Sequence, residues 1–215
     1  NDSIEYYPIY LLSGITAVTF FNESFSNATR SLVDNAALIK KIYFPRQMFP
    51  VASTMVAAIN TVPQIIVVIV IALFFGWTPT VVGIGALLLG LVIIALLATG
   101  LGLLFGAINV TFRDAQSFVE IIVMVSVWAS PVMYQWQMVQ SKVPEWLFQL
   151  YALNPITGAV ELFHYGIWHA LDPANAEPLP SLWVHSLIAL AVSIVILIIG
   201  ELVFRRLEGR FAQDL

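Results

Sequence analysis

Three residues in the last third of the chain have side chains that bind metals in many proteins. Glu161, His164 and His169 follow one another at intervals of three and five residues. Imidazole and carboxylate groups can bind Zn²⁺, but a structural zinc ion needs four ligands, and no fourth ligand is suitably spaced here. The absence of cysteine excludes thiolate sites and disulfide bonds. We therefore expect no metal site, and we expect these residues to be interfacial polar groups.

Residue patterns for covalent catalysis are also missing from the sequence. There is no serine in a nucleophile elbow, no glycine loop of the phosphate-binding type and no pair of carboxylates on one predicted helix. A membrane enzyme such as a glycan-modifying acyltransferase should show a histidine or carboxylate cluster at one membrane face. We therefore predict that the chain is not an enzyme and binds no cofactor itself.

The segment from residue 31 to residue 46 has the pattern of a short amphipathic helix that Pro45 limits. Its apolar face consists of Leu32, Ala36, Ile39 and Tyr43. Such a helix between two membrane spans docks either on the membrane surface or on a partner protein, and periodicity alone leaves both possibilities open. Its lysines would in either case be drawn to anionic lipid.

The elements that position these residues are predicted to be membrane helices. The chain is 60% hydrophobic and 10% charged, against about 45–50% and about 25% in a soluble domain. Its apolar blocks are too long for soluble core helices and lack the alternation of strands. We therefore predict an all-α membrane protein with five visible spans, at residues 8–25, 49–75, 80–107, 118–139 and 182–204.

The basic residues favour one orientation of these spans. Eight of the nine follow the first, third or fifth span, and only Lys142 falls on the other side. Because Lys and Arg mark the cytoplasmic face, the C-terminus is predicted to be cytoplasmic and the first residues external. An external start without a signal peptide predicts an upstream segment with one further span, which gives six in the whole protein. The sequence also contains no stripe of basic residues that would be suited to binding DNA or RNA.

The stretch between the fourth and fifth spans is apolar but short. Residues 156–170 are too few to cross, and a crossing would place the last three arginines outside. With the Trp- and Tyr-rich residues 134–154, this stretch is predicted to form re-entrant or interfacial helices at the outer face. An ordinary external loop with aromatic anchors is the alternative.

The third predicted span has a face of small residues. Ala98, Gly102 and Gly106 recur every four residues, and Gly100 lies beside them. Small side chains let another helix backbone approach closely, which predicts a packing surface. A functional hinge is the alternative.

Four runs of the sequence resemble one family of transporters. They are LIKKIYFPRQMFP at 38–50, NVTFRDAQ at 109–116, SPVMY at 130–134 and LNP at 153–155. In this order and spacing they resemble the permease subunit of ABC-2 type exporters, in the branch that exports teichoic acids, O-antigens and related cell-envelope polysaccharides. The resemblance covers essentially the whole chain. An ABC-2 exporter of drugs or small lipids is the alternative.

This resemblance implies a multi-pass protein of a bacterial cytoplasmic membrane. Two copies would form a homodimeric pore for lipid-linked polysaccharide and would bind two separate ATPase subunits that use ATP and Mg²⁺. Residues 1–215 would be the ABC-2 transmembrane domain without its N-terminal interface helix and first span. No nucleic acid partner is implied.

The resemblance also assigns roles to particular residues. The segment that would couple to the ATPase contains Asn35, Leu38, Ile39, Lys40, Lys41 and Ile42. Aromatic side chains that would offer stacking faces to sugars are Phe20, Phe21, Tyr134 and Trp136. We further predict, from their edge position, that Arg113 and Asp114 form a structural junction at the cytoplasmic end of the third span.

Overall fold

A computed structural model describes residues 6–41, 45–112, 114–171 and 177–211. The described residues form helices, which follow in chain order. They are α1 (Tyr7–Asp34), α2 (Ala36–Ile39), α3 (Met48–Phe74), α4 (Val81–Thr111), α5 (Ala115–Trp128), α6 (Trp136–Gln140), α7 (Glu145–Ala152), α8 (Pro155–Gly166) and α9 (Leu182–Leu207), followed by a short 3₁₀ turn, Glu208–Arg210.

Within the described chain, α3, α4 and α9 are both long and apolar enough to cross a membrane. Each has 26 residues or more, which exceeds the roughly 20 residues that about 30 Å of hydrocarbon requires. These helices confirm an α-helical membrane protein. They match the second, third and fifth predicted spans closely, and the total of five spans stays a prediction.

The first helix is longer than predicted. It continues to Asp34 rather than ending near Phe25, so it has 28 residues. The added turns contain polar residues such as Asn27 and Arg30. α1 packs against α3, α4, α5 and α8.

The fourth predicted span is not a continuous helix over residues 118–139. α5 ends at Trp128 after 14 residues, and the chain turns before α6 begins at Trp136. Pro131 has no backbone N–H and disfavours a helical conformation at the residue before it, so the helix stops there. The Ser130 hydroxyl donates to the Ser126 carbonyl oxygen at 2.7 Å, which satisfies one of the last carbonyls of α5.

The helix α8 is buried almost completely. Nearly all of its residues lack solvent exposure, and it packs against α1, α4 and α9. The Asn154 side chain begins the helix by accepting a hydrogen bond from the Ile156 N–H at 3.1 Å. Backbone at membrane depth requires such shielding by protein, so this packing supports the re-entrant interpretation and not the loosely anchored loop.

The two ends of the bundle differ in chemistry. The connection of α3 to α4 is a tight turn in which Gly76 has a φ of 89°, a backbone conformation that glycine adopts without strain. The Trp77 indole N–H donates to the Gly166 carbonyl oxygen at 3.1 Å, which joins this turn to α8. We call this end, with α6–α8, the hairpin end. The opposite end, where α1 and α9 finish, is the basic end.

The small residues of α4 pack against two helices, as the sequence predicted. Gly102 and Gly106 lie against Ala28 on α1. Gly100 faces α9, where a Cβ atom would lie 2.6 Å from the backbone of Leu197. The facing Gly200 lies against the Gly100 carbonyl group in the same way. At this point the backbones of α4 and α9 are in direct contact.

Replacing Gly100 with Ala should therefore destabilise the protein, because the backbone atoms of Leu197 cannot rotate away. We expect a loss of about 1–3 kcal/mol, the usual result of overpacking. The control is Gly85→Ala on the same helix, since no atom lies within 4 Å of its added methyl group. That change should leave stability unchanged or raise it by up to ~1 kcal/mol. Thermal unfolding of both variants in nanodiscs measures the difference, and equal midpoints would contradict the close-contact interpretation.

Candidate functional site

A polar stripe runs along one face of α1. Phe21, Phe25 and Leu32 on the opposite face are fully buried. The stripe is partly exposed and recurs with helical spacing, and it consists of Thr19, Asn22, Glu23, Ser26 and Arg30. These polar residues lower the mean hydropathy of α1. They explain why α1, despite its length, is not among the helices that are apolar enough to cross a membrane.

The helix α5 extends this polar surface. The Ser126 hydroxyl lies 3.1 Å from Asn22 Oδ1. Nearer the basic end, Arg30 Nη2 lies 3.3 Å from Glu120 Oε1. Both partners of this ion pair are exposed, so the pair contributes little to stability. The stripe and the facing side of α5 together form a hydrogen-bonding surface.

Polar and charged side chains on a membrane helix face either other protein or a water-filled cavity. The stripe offers hydroxyl, amide, carboxylate and guanidinium groups, so it can both donate to and accept from a polar solute. In the described ranges no group of three or more metal-binding side chains is arranged to hold an ion. The arrangement suits reversible contact with a hydrophilic molecule.

The predicted aromatic residues lie in different environments. Phe20 and Phe21 are buried at 1% and 0% exposure, so neither ring has a free face in this chain. Trp136 is also buried, and its indole N–H donates to the Glu177 carbonyl oxygen at 3.1 Å. Tyr134 is half-buried, and its hydroxyl donates to the Trp128 carbonyl oxygen at 2.7 Å. Of these four rings, Tyr134 alone remains partly accessible.

One accessible aromatic residue was missed by the sequence reasoning. Trp128, the last residue of α5, is 65% exposed. Trp128 continues the outward apolar face of α5, which consists of Phe118, Ile121, Met124, Val125 and Trp128. The predicted span continued beyond Pro131, so Trp128 lay in its middle and not at the exposed end of a helix.

The predicted coupling segment forms a short helix at the basic end. α2 contains only Ala36–Ile39, and the Asn35 side-chain amide donates to the Ser31 carbonyl oxygen at 2.8 Å. Leu38 is 45% exposed, whereas Ile39 packs against the apolar cluster of this end. Lys40 and Lys41 are exposed, and Ile42 lies outside the described residues. The segment therefore presents Leu38 and the lysines outward.

The chain after this segment is tied to the end of α9. Arg46 donates a hydrogen bond to the Glu208 carbonyl oxygen, and its guanidinium lies 6.0 Å from the centre of the Phe211 ring. Phe211 meets Phe204 edge to face at 5.3 Å, in the cluster that contains Leu32. The coupling segment is thus connected to both α1 and α9.

The predicted junction is only partly described. Asp114 is exposed and directly precedes α5, where a carboxylate is favourable at a helix N-terminus. Arg113 lies outside the described residues. The junction of these two residues stays a prediction.

Comparison with known proteins agrees with this architecture. The family model described as ABC-2 type transporter matches residues 1–168. Two proteins of Klebsiella pneumoniae, each named O-antigen export system permease protein RfbA, are 27% identical over 216 aligned residues, which cover 97% of this chain and 76% of the relative. A Myxococcus xanthus protein of the same name is 26% identical, over 100% of this chain and 78% of the relative. The chain belongs to the ABC-2 type transporter family.

Proposed function

We propose that this chain is the permease subunit of an ATP-driven exporter that moves a lipid-linked cell-envelope polysaccharide across the membrane. The polar stripe on α1 carries the proposal, because a helix with such a face in a membrane bundle needs a hydrophilic path beside it. The names of the relatives supply the class of substrate. Hydrolysis of ATP, with Mg²⁺, belongs to a separate ATPase subunit.

A glycan suits the chemistry of the stripe. Sugar hydroxyls donate and accept hydrogen bonds, as do Asn22, Ser26 and Thr19. Transport of a long repeating polymer requires contacts weak enough to release each sugar as the next arrives. The exposed ring of Trp128 and the half-buried ring of Tyr134 add apolar faces near the hairpin end. An exporter of drugs or small lipids would need an apolar path instead.

The assembly that we propose contains two copies of the chain and two ATPase subunits. The stripe and the outward face of α5 lie at the surface of the single chain. A second copy facing the first would enclose the stripes between them and would cover the apolar residues of α5. The exposed side of the coupling segment, with Leu38, Lys40 and Lys41, would contact the ATPase.

We propose that the basic end is cytoplasmic and that the hairpin end faces outward. The basic end carries Arg30, Lys40, Lys41, Arg46 and Arg205, whereas Lys142 lies in the connection that follows α6. The positive-inside rule then places the C-terminus in the cytoplasm. This orientation puts the coupling segment on the side where ATP is available.

The proposed transport path predicts the effect of a bulky residue on the stripe. Ser26→Phe should lower export of surface polysaccharide at least tenfold, because the ring fills space that the glycan requires. The control is Ile198→Phe on the exposed apolar face of α9, which should leave export unchanged. The measurement is surface glycan on cells whose own permease gene is replaced by each variant, at equal amounts of permease. Normal glycan export by Ser26→Phe would contradict this path. A wild-type permease that confers drug resistance but exports no glycan would favour the alternative, an exporter of drugs or small lipids.

The proposed orientation predicts the labelling of introduced cysteines. The chain has no native cysteine, so each variant carries a single thiol. Lys40→Cys should resist a membrane-impermeant maleimide in intact cells and react after lysis. Lys142→Cys, in the connection after α6, should react without lysis, once the envelope layers outside the cytoplasmic membrane have been permeabilised. The reverse pattern would overturn the orientation.

The proposed ATPase contact predicts the effect of a charge at Leu38. Burial of a leucine side chain is worth roughly 1.5–3 kcal/mol, so Leu38→Asp should weaken the complex about tenfold or more. Because Leu38 is exposed, the change should leave the fold of the chain intact. Co-purification of the ATPase with the permease measures the effect.

The matched control for this experiment is Leu150→Asp on α7, since Leu150 is exposed at the opposite end. It should leave recovery of the ATPase unchanged. Full recovery with Leu38→Asp would mean that the segment rests on lipid and does not contact the ATPase.

A further inference from the structure

A groove lies between α3, α4 and α9. Its volume is about 480 Å³, within the range of about 300–1,000 Å³ that is usual for small-molecule sites. α4 and α9 are in backbone contact at Gly100 and Gly200, and the Thr99 hydroxyl oxygen of α4 lies 3.2 Å from that of Thr54 on α3. The described residues that line the groove do not include the polar stripe of α1, so the proposed transport path leaves this groove unexplained.

The walls of the groove are mostly apolar, and they include Val51, Met55, Leu96 and Leu197. The two threonines that also line it have partners within their own helices. The Thr99 hydroxyl donates to the Ala95 carbonyl oxygen at 2.7 Å. The Thr54 hydroxyl donates to the Pro50 carbonyl oxygen at 3.3 Å. Neither hydroxyl requires a partner from another molecule, so the groove is suited to a hydrocarbon chain.

The groove extends over half the thickness of a membrane. On α3 its lining runs from Gln47 to Ala58, which is about 16 Å at 1.5 Å per residue. On α4 its lining begins at Ala95, in the middle of the helix, and continues towards the basic end. One leaflet of a bilayer contributes about 15 Å of the roughly 30 Å of hydrocarbon. The groove therefore has the length of an acyl chain in the leaflet at the basic end.

The mouth of the groove at the basic end carries opposite charges. Glu201 lines the groove and lies within about two turns of the end of α9. Its Oε1 atom accepts a hydrogen bond of 2.6 Å from Arg205 Nε. Gln47, which directly precedes α3, contributes an amide at the same end. A carboxylate, a guanidinium and an amide thus lie at the depth where lipid headgroups begin.

The ion pair at the mouth has capacity for a ligand. Its bond uses one donor of the guanidinium and one oxygen of the carboxylate, and each group has further donor or acceptor positions. The side chain of Arg205 is 65% exposed and that of Glu201 is 27% exposed, so both can be reached from outside the chain. A ligand with one negative and one positive group would continue the alternation of charges.

We propose that this groove binds phosphatidylethanolamine, a phospholipid whose headgroup carries a phosphate and a primary ammonium group. One acyl chain lies between α3, α4 and α9. The phosphate accepts hydrogen bonds from Arg205 and Gln47, and the ammonium group donates to Glu201. Such hydrogen bonds between charged groups are the strong ones in proteins.

The carboxylate of Glu201 selects against two other headgroups. Phosphatidylglycerol would bring a negative charge next to Glu201 without a cation to offset it. Phosphatidylcholine has a positive charge, but its quaternary ammonium group carries no hydrogen and cannot donate a hydrogen bond. The primary ammonium group of phosphatidylethanolamine is both charged and able to donate.

Native mass spectrometry of the full chain, purified in detergent and supplied with one lipid at a time, tests the headgroup. The three lipids are phosphatidylethanolamine, phosphatidylcholine and phosphatidylglycerol with identical acyl chains. Phosphatidylethanolamine should bind about tenfold more tightly than the other two, the effect of one added hydrogen bond to a charged group. Glu201→Gln should remove this preference.

The matched control is Glu120→Gln, which removes the carboxylate of the ion pair with Arg30. Glu120 does not line the groove, so this variant should keep the preference for phosphatidylethanolamine. Equal binding of the three lipids by the wild type, or an unchanged preference in Glu201→Gln, would overturn the proposal.

Photo-crosslinking identifies the occupant of the groove without changing its charges. Met55 lines the groove and is 63% exposed, so Met55→p-benzoylphenylalanine places a reactive ketone beside the acyl chain. The full chain is reconstituted in phosphatidylcholine vesicles that contain phosphatidylethanolamine as a minor component. Adducts at Met55 should be enriched in phosphatidylethanolamine, as read from their mass.

The control position is Ile59 on the same helix, which is 69% exposed but does not line the groove. Its adducts should follow the bulk ratio of the two lipids. The same bulk ratio at Met55 would overturn the proposal. A cross-link from Met55 to a second copy of the chain would overturn it as well, because a protein surface and not a lipid would then cover the groove.

Discussion

In hydrocarbon, every polar group has to find its partner within the protein or in water enclosed by it, and α1 concentrates this demand in one helix. One face bears phenylalanine rings and leucine that α3 and α4 bury. The other bears the polar stripe, which contacts α5 through Asn22 and Arg30. This division determines the rest of the bundle, because the apolar helices must pack on one side of α1 and leave the other accessible.

Close packing on the apolar side relies on small residues. α4 has no titratable group, so it contributes shape and not charge. Gly102 and Gly106 bring it against α1, and Gly100 brings it against α9. α4 thereby connects α1, which bears the polar stripe, to α9. Its van der Waals contacts replace the hydrophobic driving force that lipid does not supply between helices.

Much of the fold could be predicted from the sequence, and the reasons are physical. α3, α4 and α9 are unbroken apolar runs of membrane length, so hydropathy alone locates them. α1 was placed but cut short, because its last turns are polar and are stabilised by tertiary packing around Leu32. α5 was extended too far, because hydropathy continues through Pro131 although the backbone cannot. The four-residue spacing of small residues on α4 correctly predicted a packing face, because small side chains in a membrane helix let another helix backbone approach closely.

The candidate site was harder to predict. The family resemblance indicated the coupling segment, but only the structure separates outward Leu38 from partly packed Ile39. Residue type suggested Phe20 and Phe21 as stacking surfaces, yet an apolar ring is equally suited to a core and the structure buries both. Glu161 and His164 had been interpreted as interfacial. Their burial depends on α8 folding back among three helices, which no local pattern reveals.

The Gly100–Gly200 contact has a mechanical consequence. Where two backbones touch, no layer of side chains remains to deform, so we expect α4 and α9 to move together. The seam between α1 and α5 is different, since an exposed ion pair and one contact between Asn22 and Ser126 hold it near the polar stripe. We therefore expect the seam between α1 and α5 to yield before the contact between α4 and α9 does. In the proposed exporter, a displacement of the predicted coupling segment, transmitted through Arg46 to the end of α9, would shift α4 and α9 together and would widen the bundle along α5.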